Sequence, residues 1–252
     1  MDDLLLTPGQ YRVLWNGVQV TVQLLLWAFV LGVVLSLVIG LMRLSSRAWL
    51  RGFALVYVEI FRGISTIVLL FWFVFAFPIL LGVDAGDLRT ELAIIALGIN
   101  MGGYGAEIVR GAILSVPKGQ NEASLALNLT EAQRIRHIVL PQAMPVILPP
   151  MGNLTIEILK GTALVSLIGM NDLMNRIDAL RVARGRFEDT LSIPVLFFNG
   201  LVLYFIIAQL VNVFFRLAER RVDSLYRQRT GRRAAELGAE PASAAGGQGG
   251  GA

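Results

Sequence analysis

The chain has 252 residues, of which 55% are apolar and 16% are charged, and its mean hydropathy is +0.66. Soluble domains contain about 45–50% apolar and about 25% charged residues, so this balance argues against a water-soluble domain and predicts a membrane protein. The net charge of +4 comes almost entirely from arginine, which supplies 20 of the 22 basic residues. The chain has no cysteine and one histidine, His137, which excludes disulfides, iron–sulfur clusters, thiolate zinc sites and multi-histidine metal centres.

Five apolar stretches are long enough to cross a bilayer, since a span needs about 20 mostly apolar residues in a helix that satisfies its own backbone. They cover about residues 15–42, 53–81, 92–116, 142–168 and 193–215. The first is too long for the apolar part of a signal peptide and is followed by no small-residue cleavage site, so it is interpreted as a true span. The predicted fold is therefore an all-α integral membrane protein with five transmembrane helices.

The distribution of basic residues predicts the orientation, because short cytoplasmic loops retain Lys and Arg. Basic clusters follow the first, third and fifth stretches: Arg43, Arg47 and Arg51; Lys118, Arg134 and Arg136; and seven arginines from Arg216 to Arg233. The opposite segments are acidic or balanced, with Asp2, Asp3, Asp84, Asp87, Glu91, Glu188 and Asp189 among their residues. Five spans thus place the N-terminus outside and the C-terminus in the cytoplasm. Residues 1–229 form the predicted membrane domain, and residues 230–252, which end in a glycine-rich run, are expected to be a disordered cytoplasmic tail.

The loop between the third and fourth stretches, residues 117–141, is predicted to form two short helices joined by a turn. Residues 119–127 form the first, and Asn128 suits the left-handed conformation that ends a helix. Thr130 with Gln133 matches a capping box for the second helix, and Pro141 is expected to end it. On these features alone, an amphipathic turn lying on the membrane surface is an equally good interpretation.

The same loop resembles the cytoplasmic hallmark of ABC importer permeases, which is Glu-Ala-Ala, three residues, Gly, nine residues and Ile-x-Leu-Pro. This chain has Glu122-Ala-Ser124, then Asn128, then Ile138-Val-Leu-Pro141, with the spacing preserved. The resemblance implies a type I permease fold in which this loop is the coupling helix that docks onto a separate ATPase subunit. The residues it assigns to coupling are Gly119, Glu122, Ala123, Ser124, Asn128, Thr130, Ile138, Leu140 and Pro141.

Other short motifs narrow the resemblance to the polar amino-acid uptake class of these permeases. They lie at residues 59–63, 104–111, 140–143 and 160–166, and the segments Leu127-Asn-Leu-Thr130 and Ile156-Glu-Ile-Leu-Lys-Gly161 are most similar to permeases for ectoine and hydroxyectoine. The resemblance implies uptake of a small zwitterionic solute through the cytoplasmic membrane. It also implies an extracytoplasmic solute-binding protein as a partner.

The chain contains no G-x-x-x-x-G-K-[ST] nucleotide-binding loop. ATP and Mg²⁺ are therefore expected on a dimer of separate ATPase subunits, and this chain is expected to bind no cofactor or metal of its own. Five spans are few for a pore, so a second permease is expected, either another copy of this chain or a sister subunit. No nucleic acid is expected as a partner.

Two other functions compete with a permease. An integral membrane enzyme would need a nucleophile with a base, or a metal set, and no nucleophile elbow occurs. A secondary transporter driven by ions would show long inverted repeats and more spans. The permease without a catalytic site of its own is the preferred interpretation.

Three oppositely charged pairs at i, i+3 spacing lie within the spans, where a charge is costly unless it faces protein or water. They are Glu59 with Arg62, Glu107 with Arg110, and Glu157 with Lys160, and each pair is expected to share one helix face and partly neutralise itself. The first two are candidates for a structural bracket between spans or for a gate. The third, together with the hydroxyl of Thr162, is a candidate for binding the two charged ends of a zwitterion, the alternative being an ion pair that only tolerates burial.

Overall fold

The structure is a computed structural model that describes residues 6–84, 86, 88–184 and 192–236. The regular elements over these residues are helices. We label them α1 (Pro8–Met42), α2 (Ala48–Gly63), α3 (Thr66–Leu81), α4 (Arg89–Leu114), α5 (Lys118–Ala126), α6 (Glu131–Ile168), α7 (Leu173–Arg184) and α8 (Ile193–Glu236). Helices α1, α4, α6 and α8 are each long and apolar enough to cross a membrane. These helices confirm the predicted all-α fold, and α2 with α3 makes a fifth span if that pair crosses the membrane together.

The predicted span over residues 53–81 is broken within the structure. Helices α2 and α3 are bent by 104° relative to each other, because Ile64 and Ser65 between them have extended backbone conformations. Extended residues cannot continue the i to i−4 hydrogen-bond ladder. A hydropathy profile averages over many residues and therefore does not reveal a helix break of two residues.

Pro141 does not end a helix, contrary to the sequence prediction. It lies inside α6, two residues after the π-turn Ile135–Val139, in which the Leu140 N–H donates to the carbonyl oxygen of Ile135. Proline has no N–H, and its ring clashes with the carbonyl four residues earlier in a regular helix. A π-turn widens the backbone just before the ring. Pro78 in α3 follows the π-turn Trp72–Ala76 at the same spacing. In both helices a π-turn therefore accommodates a proline within the helix.

Helix α1 packs against α4 at very close range, as the glycines of the third predicted span indicate. A Cβ atom on Gly98 would lie 2.7 Å from Leu31, and one on Gly102 would lie 2.7 Å from both Leu35 and Tyr57. Small residues let two membrane helices approach until their backbones nearly touch. Helix α6 packs against both helices of this contact, and α8 packs mainly against α6.

The final helix is longer than the predicted fifth span. Helix α8 continues to Glu236, so the first residues of the predicted tail, 230–236, are helical rather than disordered, which agrees with the high helix propensity of their Arg, Ala and Glu residues. Residues 237–252 lie outside the described residues, as do Asp2, Asp3, Asp87, Glu188 and Asp189. The predicted orientation relied partly on these charges and stays a prediction.

Candidate functional site

Glu107 joins two arginines from different helices. Its Oε1 lies 3.1 Å from both Nε and Nη2 of Arg43, and its Oε2 lies 2.9 Å from Nε and 2.8 Å from Nη2 of Arg110. The Glu107–Arg110 pair matches the i, i+3 prediction. The sequence analysis used Arg43, at the end of α1, only as a basic residue that sets the orientation. Its contact with Glu107, 64 residues away, leaves no local pattern in the sequence. The cluster joins the end of α1 to the last two turns of α4.

Arg62 does not pair with Glu59, although their spacing would place them on one face. Both side chains are exposed, and no ion pair joins them in the described part of the chain. The Arg62 guanidinium instead lies over the Tyr104 ring, 5.4 Å from its centroid, and the Tyr104 hydroxyl donates to the Arg62 carbonyl oxygen at 3.2 Å. Asn100 Nδ2 also donates to the carbonyl oxygen of Phe61 at 3.0 Å. Arg62 therefore belongs to a polar contact between α2 and α4.

Glu157 and Lys160 lie on an exposed stripe of α6. Asn153, which the sequence analysis did not single out, lies on the same stripe one turn earlier, and all three side chains are exposed. Within the described residues, neither charged side chain has an ion-pair partner. Thr162 is not on this stripe: it is fully buried, and its hydroxyl donates to the carbonyl oxygen of Leu159 at 2.6 Å. The structure thus separates Thr162 from the two charges with which it was grouped.

The turn after α5 has the geometry that its sequence predicts. Asn128 has a φ of +52° and is the C′ residue of a Schellman motif. Its N–H donates to the carbonyl oxygen of Leu125 at 2.9 Å, and the Leu129 N–H donates to that of Ser124 at 3.2 Å. Thr130 then caps α6 through a complete capping box with Gln133. These contacts confirm the predicted left-handed Asn128 and fix the direction in which the chain leaves α5.

Helix α5 presents a mixed acidic and apolar face. Glu122 and Ala123 are exposed, and so are Leu125 and Leu127, which are 58% and 72% exposed. Ser124 is buried on the opposite side. The two leucines were missed by the sequence analysis, although apolar residues in an otherwise polar loop are a usable signal. An exposed apolar patch beside a carboxylate suits a protein-docking surface.

The remaining residues assigned to coupling occupy different environments. Ile138, Leu140 and Pro141 are half-buried in α6, Thr130 is its cap, and Gly119 is exposed with open space around it. The amide of Gln142 on α6 donates to Gln120 on α5 at 3.3 Å. This hydrogen bond joins α5 to α6, whereas Glu122, Ala123 and the two leucines form the free face of α5.

A buried carboxylate at the opposite end of the helices was also missed by the sequence analysis. Asp172 is fully buried and caps α7 by accepting hydrogen bonds from the N–H groups of Met174 and Asn175 at 3.1 and 3.2 Å. The Leu173 N–H donates to the hydroxyl of Thr21 on α1 at 3.1 Å. Burial, partly offset by these backbone hydrogen bonds, raises the pKa of Asp172 from 3.8 to about 6.

Replacing Asp172 with Asn is expected to remove a pH dependence of the protein's stability. A raised carboxyl pKa means that the native state binds the proton more tightly than the unfolded state, so its contribution to stability is full below about pH 4 and is lost as the pH rises through about 6. Asn has one side-chain oxygen, so it keeps one of the two hydrogen bonds of the cap and carries no charge. We expect Tm to fall by about 3 °C from pH 5 to pH 7.5 in the wild-type protein and to stay constant over this range in Asp172→Asn. Thermal unfolding at pH 5 and 7.5 tests this, and equal pH dependence in both proteins would contradict it.

Comparison with known proteins identifies the family. The family described as binding-protein-dependent transport system inner membrane component matches residues 32–224. The probable amino-acid ABC transporter permease protein y4tF of Sinorhizobium fredii (strain NBRC 101917 / NGR234) is 40% identical over 212 residues, which cover 83% of this chain and 87% of the relative. The glutamine transport system permease protein GlnP of Escherichia coli (strain K12) is 33% identical over 225 residues, covering 85% and 98%.

A solved structure agrees with these relatives. The structure titled "Crystal structure of an amino acid ABC transporter with histidines" superimposes with a TM-score of 0.72 and 31% identity, and the match covers 84% of this chain and 94% of that one. An integral membrane enzyme and an ion-driven transporter, the two alternatives to a permease, do not fit these matches. The chain therefore belongs to the inner membrane components of binding-protein-dependent transport systems and is a noncatalytic permease subunit of an ABC importer.

Proposed function

We propose that the chain contributes the membrane path for a polar amino acid or a related zwitterion, with ectoine and hydroxyectoine as the narrower candidates. The observation that carries this proposal is the exposure of Glu157 and Lys160, without an ion-pair partner in the described residues, on a helix able to span the membrane. The substrates named for the relatives support an amino acid. The resemblance of residues 127–130 and 156–161 to ectoine permeases supports the narrower choice.

The exposed stripe of α6 is unsuited to lipid. If the stripe faced lipid, the amide of Asn153 and the charges of Glu157 and Lys160 would lie in hydrocarbon. Placing a charged side chain at the centre of a bilayer costs roughly 2.5–3.5 kcal/mol. They are therefore expected to face a second permease, with a water-filled path between the two subunits. That permease is a second copy of this chain or a sister subunit.

The charges on this stripe match the chemistry of a zwitterion. Lys160 can donate to a carboxylate, and Glu157 can accept from a cationic nitrogen group, both through charge-assisted hydrogen bonds. Lys160 also borders a groove of about 340 Å³ between α6 and α8, whose other walls include Ile156, Leu159 and Phe205. An apolar wall beside a cation suits a solute that has a carboxylate and an aliphatic part.

The free face of α5 is the proposed docking site for the ATPase. Glu122, Leu125 and Leu127 project from a short helix whose position is fixed by the Asn128 turn and by the Gln120–Gln142 hydrogen bond. A rigidly held helix can pass a movement of its partner into α4 and α6. In this proposal α5 lies in the cytoplasm, ATP and Mg²⁺ bind the ATPase dimer, and an extracytoplasmic binding protein delivers the solute to the other side.

Neutralising Lys160 tests the path. Lys160→Met is expected to lower ATP-driven uptake by about tenfold or more, because a hydrogen bond to a charged group contributes about 1.5–3 kcal/mol. Lys160→Arg should restore part of the uptake. Uptake of radiolabelled glutamine and ectoine into proteoliposomes that contain the complete transporter measures the effect.

The control is Arg221→Met, which removes an exposed cation in the second half of α8. Copurification of the ATPase is measured for every variant. A loss of uptake in Lys160→Met that is matched by an equal loss of ATPase binding would reject a role in the path, and so would normal uptake.

A further inference from the structure

A cavity of about 330 Å³ lies where α1 and α4 end against the start of α6. Its aliphatic wall includes Leu41, Leu114 and Ile135, and its polar lining is limited to Lys118, Glu131 and Arg134. None of the residues that the sequence analysis assigned to coupling or to the path lines it. Its three charged residues belong to the loop 117–141, but the cavity shares no residue with the free face of α5 or with the exposed stripe of α6.

The position of the cavity places it at the surface of the bilayer. Helices α1 and α4 are each long and apolar enough to span the membrane, and they end at Met42 and Leu114, so their last residues are expected near the boundary between hydrocarbon and headgroups. Leu114 lines the cavity and is also 60% exposed. The cavity thus borders the lipid, and a lipid molecule can enter it from the side.

The charges of the cavity favour an anion. Lys118 and Arg134 outnumber Glu131, and within the described residues none of the three takes part in an ion pair. Both cations therefore keep their charge available for a ligand. A phosphate at membrane level is a strong partner for such a pair of cations, and aliphatic side chains are the matching surface for an acyl chain.

We propose that this cavity binds one anionic phospholipid, with its phosphate held by Lys118 and Arg134 and one acyl chain along the aliphatic wall. Glu131 can accept a hydrogen bond from a headgroup hydroxyl, as in phosphatidylglycerol. The bound lipid would hold the beginnings of α5 and α6 against the ends of α1 and α4. This proposal does not depend on which solute the transporter carries.

Native mass spectrometry of the full chain tests the proposal. The protein is extracted with an equimolar mixture of phosphatidylglycerol, phosphatidylethanolamine and phosphatidylcholine, and the retained lipids are counted. We expect one phosphatidylglycerol to be retained in preference to the other two. In Lys118→Gln/Arg134→Gln the retention of phosphatidylglycerol should fall by about tenfold or more, since each basic residue contributes appreciably to the binding of an anionic lipid.

Arg136→Gln is the matched control, because Arg136 is an exposed cation on α6 that does not line the cavity. Lys118→Gln alone is a second test, since Lys118 is exposed and its replacement should leave folding intact; we expect about a threefold loss. Equal retention of the three lipids would overturn the proposal. Unchanged phosphatidylglycerol in the double variant, or an equal loss in Arg136→Gln, would also overturn it.

Discussion

Glu107→Ala is expected to destabilise the protein more than any other replacement of a charged residue within the spans. It leaves the guanidinium groups of Arg43 and Arg110 half-buried with no carboxylate between them. Removing one member of a buried charge cluster costs about 3–5 kcal/mol, and the partial exposure of these side chains reduces this to about 2–3 kcal/mol. Tm should therefore fall by about 5–10 °C in thermal unfolding of the purified protein.

Glu59→Ala is the matched control for this prediction, because Glu59 is an exposed glutamate in a neighbouring span without an ion-pair partner among the described residues. Its Tm should stay within about 1–2 °C of the wild-type value. Glu107→Gln, which keeps an acceptor but loses the charge, should fall between the two. Equal Tm values for the two alanine variants would show that the cluster does not hold α1 against α4.

Glu122→Lys is expected to have the largest effect on transport. It reverses the charge in the middle of the free face of α5, and a reversed charge at a complementary interface costs several kcal/mol of binding free energy. We expect at least about a tenfold loss of ATPase copurification, with a parallel loss of ATP-driven uptake. Membrane insertion and Tm should be unchanged, because the side chain is exposed.

Asp223→Lys makes the same charge reversal at an exposed position in the second half of α8 and serves as the control. It should bind the ATPase and transport normally. Leu125→Ala should weaken binding less than Glu122→Lys, since it removes apolar contact without introducing repulsion. Normal uptake in Glu122→Lys would rule out α5 as the docking site.

Local geometry was predictable from the sequence where neighbouring residues determine it. The Asn128 turn and the Thr130–Gln133 capping box depend on hydrogen bonds within six residues, and the structure has both. The close contact of α1 with α4 was indicated by glycines such as Gly98 and Gly102. Four of the spanning helices follow directly from apolar stretches of sufficient length.

Contacts between distant residues were not predictable in the same way. An i, i+3 spacing shows that two side chains share a helix face, but not whether another helix offers a better partner. Glu107 forms ion pairs with both Arg110 and Arg43, whereas the guanidinium of Arg62 lies over the Tyr104 ring and does not pair with Glu59. Asp172 left no motif in the sequence, because its burial arises only where α7 lies against α1.

Backbone breaks were the other source of error. The 104° bend between α2 and α3 depends on the dihedral angles of two residues, which an average of hydropathy does not reveal. Pro141 was expected to end a helix, and the π-turn before it allowed α6 to continue. A proline in a membrane helix therefore predicts a local change in hydrogen bonding rather than a boundary.

ATP-driven uptake by the reconstituted transporter is the most direct test of the central claim, which is that this chain transports only when a separate ATPase is docked on α5. The complete transporter and its binding protein are placed in proteoliposomes, and uptake of radiolabelled glutamine and ectoine is measured with ATP inside. Uptake of at least one of these solutes should occur, and it should fall to background without the ATPase and in Glu122→Lys. Uptake that persists without the ATPase, or that an ion gradient alone can drive, would contradict the claim.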